Sequence, residues 1–356
     1  MPWSTPTLKA TRRLTRDYVL SQLGAKAMIP NSALRIMSDA KAGLAHLAFL
    51  YLDWLAKQLL PDTAEQEWLD RHGIIWLVNS DGSKGRKAAT YANGTIEYEG
   101  NNRTVIPVGT LIKGASGIQY QSTSTAEIGD ALIATADVAA LTAGIAGNLP
   151  QGEEMSCDFP GVTGVTTYTD LVGGSDGEKD EQLRERILKR IQNPPMGGAL
   201  HDYEQWALAV PGVTRAWASV EMGPGTITVR FLMDDAYPNN YGLPTAADVA
   251  LVESYINQMR PVAVKDCFVF APILQFYNVS IINLIPDTST VRGAIEASIK
   301  DMEFKKAVPG GAMYRSWVDE AVSQAVGEQS HELQFDTVYV PAPGYMPTLG
   351  TIYFHA

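Results

Sequence analysis

Cysteine is almost missing from this chain of 356 residues. Cys157 and Cys267 stand alone, far apart, in strand-like contexts. Two thiols so placed make neither a disulfide framework nor a Cys-x-x-Cys pair, and both read as reduced and buried. Histidine is scarce as well. The five (His46, His72, His201, His331, His355) show no His-x-x-x-His spacing, so no buried zinc or other metal site is expected. Positive charge is outweighed, with 28 Lys and Arg against 39 Asp and Glu and a formal net charge of -11. That balance excludes a function resting on broad attraction to nucleic acid or an anionic membrane. No apolar run approaches the length that crosses a bilayer. The opening MPWSTPT lacks the basic flank and apolar stretch of a signal peptide, so a soluble protein made in cytoplasm is expected.

Catalytic patterns are missing too. Gly173–Gly177 (GGSDG) has the spelling Gly-x-Ser-x-Gly, but Ser175 reads as a helix cap and no nucleophile elbow is expected. Gly82–Lys87 (GSKGRK) has two residues between its glycines where a phosphate loop needs four, and Ala88 follows Lys87 where Ser or Thr is required. It reads as an exposed basic loop whose Lys84, Arg86 and Lys87 suit an acidic patch on another protein. Asp176–Asp180 (DGEKD) is acidic but lacks the EF-hand glycine and distal glutamate, and fits helix capping better. His201 and Asp202 are helix neighbours pointing about 100° apart. Asp234 and Asp235, adjacent acids that could serve glycoside chemistry, read as a solvated loop. No catalytic constellation, cofactor or small-molecule substrate emerges.

What is present is a consistent α+β multidomain pattern, with 46% hydrophobic and 19% charged residues. Residues 1–75 form an N-terminal helical region, with a short helix over Thr15–Leu23 and a long one over about 31–60, capped by Asn31 or Ser32. Leu34, Met37, Leu44, Leu47, Tyr51, Leu55 and Leu59 trace one stripe of the long helix. Its far side carries Ala40, Ala42, Ala45, Ala48, Phe49 and Trp54. A helix with two apolar faces needs two surfaces to pack against. It is either covered by its own chain or shared between subunits, with Leu44, Leu47, Tyr51, Trp54 and Leu55 as candidate interface residues. Pro61–Glu65 opens a further short helix, with Gly73 as its expected C-cap.

Residues 76–172 form a β-rich domain, with strands over Thr95–Glu99, Thr104–Ile112, Ile118–Thr123, Ala131–Leu141 and Gly161–Leu171 between Gly- and Asn-rich turns. Residues 173–272 and 273–356 read as two tandem, related α+β modules. In the first, Ser175 with Glu178 fits a capping box, with Asp180 as a second possible cap. Leu183, Ile187, Leu188 and Ile191 share one helix face, and Pro194 and Pro195 end it. Tyr203, Trp206, Ala207 and Val210 mark the next helix. Thr245 and Asp248 cap another. The second module echoes the first: Pro309–Ala312 repeats Pro195–Ala199, Tyr314 and Trp317 repeat Tyr203 and Trp206, and Gly350–Phe354 repeats Gly225–Val229.

Several of these phrases, LVGGSDGEKDEQLRERI at Leu171–Ile187, NPPMGG at Asn193–Gly198 and VPGVTRAW at Val210–Trp217, together resemble the baseplate J-like family of contractile-tailed phages. Pro61–Glu65 (PDTAE), Arg71–Gly73 (RHG), Ile106–Thr110 (IPVGT), Ala146–Leu149 (AGNL) and Arg260–Val262 (RPV) are similar to it in the same order. The resemblance runs from about residue 60 to the end. His72–Val78 departs from it, where a phrase richer in Gly and Arg is expected. Gly173, Gly174, Arg184, Pro195, Gly197, Gly198 and Gly212, with Gly310 and Gly311 of the echo, are its candidate structural motif. The resemblance implies a virion structural protein, a wedge subunit of the tail baseplate assembled in the host cytoplasm. Its partners would be paired copies of itself in a ring and other wedge and hub proteins. It implies no enzyme activity and no cofactor. A carbohydrate-binding or glycoside-processing protein, and a scaffold of a tail-like bacteriocin or secretion machine, are the alternatives. The Leu333–Ala356 tail is a further expected subunit contact.

Overall fold

The computed structural model describes residues 4–24, 26–262, 264 and 266–355. The start of the opening MPWSTPT stretch (Met1–Trp3), Ala263 and Lys265, and the last residue of the Leu333–Ala356 tail lie outside the described residues. The chain begins with a helical hairpin of α1 (Leu8–Leu23) and α2 (Ala33–Gln58). Thr7 Oγ1 accepts the Ala10 N–H and Ser32 Oγ the Arg35 N–H, satisfying amides that a helix start leaves without partners. α1 begins seven residues earlier than its apolar spacing predicts, because this cap sits at Thr7. The 26 residues of α2 make a rod of about 39 Å. An Arg16–Asp39 ion pair ties the two helices. What the hairpin buries is small, chiefly Thr11, Ser38 and Ala42.

α3 (Gln66–Trp76) follows. Gly73 is not its C-cap but lies inside it, and the helix runs on to Trp76. A Cβ there would stand 3.2 Å from both Gly85 Cα and Leu183 Cδ1, so close packing explains this glycine. Leu69 and Leu77 form a small core with Leu183 and Ile187 of α4 (Asp180–Gln192).

Between α3 and α4 the chain makes a closed β-barrel. Its strands are β1 (Asn93–Gly100), β3 (Leu111–Gly114), β4 (Gln119–Ser122), β6 (Ile133–Ala140), β7 (Glu154–Ser156) and β8 (Val162–Thr167), in the order β1-β6-β4-β3-β7-β8 with β8 returning to β1. The short β2 (Val105–Ile106) and β5 (Ala126–Glu127) pair beside it. The expected strand over Thr104–Ile112 is split at Pro107–Gly109, where Gly109 takes a φ of 92°. Period-2 alternation sends Ile96 and Tyr98, Ile112, Tyr120, Ala136 and Val138, Met155 and Val165 inward. The interior is packed, and the Tyr120 hydroxyl donates to the Gly147 carbonyl at 2.8 Å. The two crossings that enter and leave the barrel lie side by side, bridged at Thr90–Ser175 and Asn93–Val172.

After α4 come α5 (Leu200–Leu208), β9 (Arg215–Ser219), β10 (Thr226–Leu232), α6 (Ala246–Met259) and β11 (Asp266–Phe270). β10 is central, antiparallel to β9 and parallel to β11 across α6. β12 (Ile273–Ile285), α7 (Ser289–Lys306), β13 (Met313–Tyr314), α8 (Arg315–Ser323), β14 (Ser330–Gln334), β15 (Val338–Tyr339) and β16 (Tyr345–His355) complete the chain. β12 is central here, antiparallel to β14 and parallel to β16. Both sheets join one antiparallel and one parallel neighbour to a central strand, but the echo fails strand for strand. Gly225–Val229 leads into the central strand of the first sheet, whereas Gly350–Phe354 lies in an edge strand of the second. The local phrases repeat; the pairing order, which is set by long-range partners, does not.

Candidate functional site

Two places hold the residues that the sequence singles out. The first is the helical hairpin. Leu44, Leu47 and Tyr51 are 69%, 62% and 60% exposed, and Leu34, Ile36, Met37 and Leu50 of α2 are exposed with them, as are Leu14 and Tyr18 of α1. Most of the apolar stripe read from the sequence of the long helix is therefore exposed. Trp54 and Leu55 are half-buried. Trp54 belongs to the anchored end: it stacks on Tyr51, meets Trp68 of α3 edge-on at 6.4 Å, and donates from Nε1 to Glu65 at 3.1 Å. Gln58 Oε1 accepts the Glu65 N–H at 2.8 Å, and His72 Nε2 lies 3.0 Å from the Gln58 carbonyl. One end of α2 is therefore fixed to α3, and the rest of its length presents apolar side chains. Charge is divided in the same way. Residues 1–60 hold eight Lys and Arg against three Asp, and residues 61–356 hold 20 against 36 Asp and Glu.

The second place is the junction beneath the barrel. Here the expected exposed basic loop is corrected. Lys84 faces solvent, but Arg86 and Lys87 are consumed inside the chain. Arg86 bonds Asp70 of α3, Asp180 of α4 and the Glu178 carbonyl. Lys87 is 8% exposed, and its Nζ donates to the carbonyls of Leu208 (3.1 Å) and Val213 (2.6 Å) at the end of α5. Burial, and then the Arg186 guanidinium beside it, bring the Lys87 amine down to about 7, against the pull of Glu178 and Asp235. The expected Ser175–Glu178 capping box is not formed either. Ser175 Oγ meets Thr90 Oγ1 at 2.8 Å, and α4 starts two residues after Glu178, with Gln182 Oε1 accepting the Lys179 N–H. Asp180 is the first residue of the helix, not its cap. Glu178 Oε2 instead takes the Lys87 N–H (3.0 Å) and Arg186 Nη1 (2.6 Å), and Arg186 Nη2 reaches Asn79 Oδ1 (2.8 Å). No local pattern betrays the links of Glu178 to Lys87 and of Arg186 to Asn79, which lie 91 and 107 residues apart in sequence.

The motif residues are spread around that junction. Gly173 and Gly174 close the barrel exit, where a Cβ on Gly174 would come within 2.5 Å of the Gly144 carbonyl. Arg184 donates to the carbonyls of Pro61 and Ala64 ahead of α3. Pro195, Gly197 and Gly198 form the α4–α5 turn, which the Asp202 carboxylate fastens by accepting the N–H groups of Met196, Gly198 and Ala199. Gly212 has a φ of 83°, in the left-handed region that favours glycine, and a Cβ there would push the Met233 methyl aside. Gly310 and Gly311 lie between α7 and β13. The carboxylates considered for glycoside chemistry are bound by neighbours. Asp234 accepts from Thr214 Oγ1 and from both Nε and Nη2 of Arg215, and Asp235 from Gln182. Among the described residues no group of His, Cys, Asp and Glu is placed to hold a metal ion. The geometry is that of a braced junction carrying an apolar arm.

Three family models match stretches of the chain between residues 95 and 355. Residues 95–174 match the Baseplate J-like protein barrel domain, 195–271 the Baseplate J-like central domain, and 277–355 the Baseplate J-like protein C-terminal domain. Baseplate protein gp47 of Escherichia phage Mu is 32% identical over 351 residues, covering 95% of each chain. The chain belongs to the Baseplate J-like family. This Baseplate J-like protein is also 32% identical to the Mu-like prophage FluMu protein gp47 of Haemophilus influenzae, over 96% of each chain. Among solved structures, the baseplate of the anti-feeding prophage has a chain that aligns over 96% of this one at 11% identity and a TM-score of 0.47.

Proposed function

We propose that this Baseplate J-like protein is a structural subunit of a phage tail baseplate, in the wedge or inner ring around the hub, that rearranges on tail contraction. Its work is assembly in the host cytoplasm, with other baseplate proteins and further copies of itself as partners, and it ends in the virion tail. The relative in phage Mu that is named a baseplate protein supports the structural role. The observation that carries the mechanical reading is the helical hairpin: a rod anchored at one end through Trp54 and Gln58, apolar along its length and basic in charge. The surface it meets is therefore apolar and rimmed with acidic residues. Each leucine buried there contributes about 1.5–3 kcal/mol.

Replacing Leu44, Leu47 and Tyr51 together by Glu tests this reading. These side chains are exposed, so the chain is expected to fold with unchanged far-UV circular dichroism while losing incorporation into tails in a complementation assay. Normal incorporation of the triple variant would remove the hairpin from the interface.

A further inference from the structure

β10 has two buried faces, and they serve different halves of the chain. Side chains along Thr226–Leu232 alternate between them. Ile227, Val229 and Phe231 join Val252 and Ile256 of α6 in one core. Thr228, Arg230 and Leu232 point the other way and are 0%, 7% and 1% exposed. A sheet buries an apolar face only against a second layer. For Leu232 that layer comes from beyond the link to β12: it shares a core with Tyr277 of β12 and Leu349 of β16. Trp217, which stands opposite Arg230 in β9, packs against the same core. Arg230 ties the link itself. Its Nε and Nη2 donate to Glu221 at 3.2 and 2.8 Å, and its Nη1 to the Ala271 carbonyl at 3.0 Å. Ala271 and Pro272 alone separate β11 from β12, and Pro272 is buried. Gly344, just before β16, has a φ of 79° and sits so close that a Cβ would come within 2.3 Å of Arg230 Nη2. Its carbonyl accepts the Ile273 N–H at 3.2 Å. Two further contacts cross the boundary. Arg215, held by Asp234, lies over the Phe304 ring of α7 at 4.8 Å, and Tyr241 meets Phe276 edge-on at 5.6 Å.

We infer that the sheets centred on β10 and β12 form one rigid body, latched by Arg230, and that the Ala271–Pro272 link does not hinge when the baseplate rearranges. A hinge needs a few residues free to change φ and ψ. Here one of the two link residues is a proline with its φ fixed, and the other has its carbonyl held by a guanidinium that is itself tied to Glu221. Opening the link would also expose Leu232 and strip Arg230 of its cover. The boundary between the central and C-terminal family domains is therefore a seam within one body, and movement is left to the joints at its ends. The inference rests on reading the chain as a subunit that rearranges, but the rigidity itself is a property of the free chain.

Hydrogen exchange of the full chain tests the latch, because damage on one side of a single body is felt on the other. Arg230→Met is expected to lower the protection of the slowest amides of β10 and of β12 by the same factor, about tenfold or more. Gly344→Ala, whose Cβ would meet that held guanidinium, is expected to lower protection in β10 from across the link. Tyr241 is 51% exposed, so Tyr241→Asn keeps the chain folded and is expected to give a smaller loss shared by both sheets. A loss confined to the sheet that carries the substitution would overturn the inference. Spin labels then read the motion directly. With Cys157→Ala and Cys267→Ala, labels at Leu251→Cys on α6 and Val326→Cys beyond α8, both exposed, are expected to give one narrow distance distribution in the free chain. Its maximum should be the same in extended and contracted tails. A broad or doubled distribution, or a maximum that moves on contraction, would overturn the rigid body. Failure of the labelled and the parent chain alike to enter tails would instead refute the assembly reading, and the free chain would still decide the rigidity.

Discussion

Arg186→Met should open the junction beneath the barrel, and its cost follows from the geometry. The Glu178 and Arg186 side chains are 1% and 8% exposed and joined at 2.6 Å. Removing the guanidinium leaves a buried carboxylate held by one backbone N–H, and breaking a buried pair in this way costs about 3–5 kcal/mol. Glu178→Met strands the Arg186 charge on Asn79 alone and should cost about as much. In the double variant neither charge remains. The losses are then the orphaned Lys87 N–H and Asn79 carbonyl oxygen, about 1–3 kcal/mol each. At the midpoints of these ranges the double variant should be less damaged than the sum of the singles by about 4 kcal/mol. Hydrogen exchange at the α4 amides and in the loop over 79–90 reads the local opening free energy directly. Single-variant costs that add to within about 0.5 kcal/mol would show that the two groups do not act as a pair, and the account of the junction would fall.

The Lys87 amine predicts a pH dependence of definite sign. Its folded pKa of about 7 lies below the ordinary value of 10.5, so between those limits the unfolded chain binds the extra proton. Stability relative to Lys87→Met should therefore rise from about pH 7 toward pH 10, measured as the difference in urea midpoints. A flat difference would mean that the amine is not buried as described. Glu303 gives the opposite slope. Burial lifts its carboxyl from 4.5 to about 7, so the folded state holds a proton that the unfolded state has lost, and stability falls as pH rises through that window. Glu303→Gln should remove the fall and be more stable than the parent at pH 8; equal midpoints at pH 8 would count against it.

Much of this architecture is legible in the sequence where the determining forces are local. Ser32 caps α2 through an amide three residues away, and Thr245 and Asp248 form their capping box within one turn. The barrel strands show in the alternation of Ile96 and Tyr98 or Ala136 and Val138. Where local and distant partners compete, the distant ones win. Ser175 and Glu178 have the spacing of a cap, yet Ser175 goes to Thr90 and Glu178 to Lys87 and Arg186. Lys87 sits in a loop of solvent-loving residues, and nothing near it in sequence announces that the end of α5 will close over its amine. Gly350–Phe354 repeats the wording of Gly225–Val229, but strand order is decided by which neighbour closes the sheet, and that is not written in either phrase.

The barrel's attachment has a mechanical consequence. Its entrance and exit are clipped together at Thr90–Ser175 and Asn93–Val172, and α3 packs directly on α4 through Gly73, Leu69, Leu183 and the Arg184 bonds to Pro61 and Ala64. A pull between the arm and the distal sheets runs along α3 into α4 and goes past the barrel, which hangs like a bead on a short loop of string. Its outward surface can accept insertions or decoration without lengthening or weakening the line that bears the load.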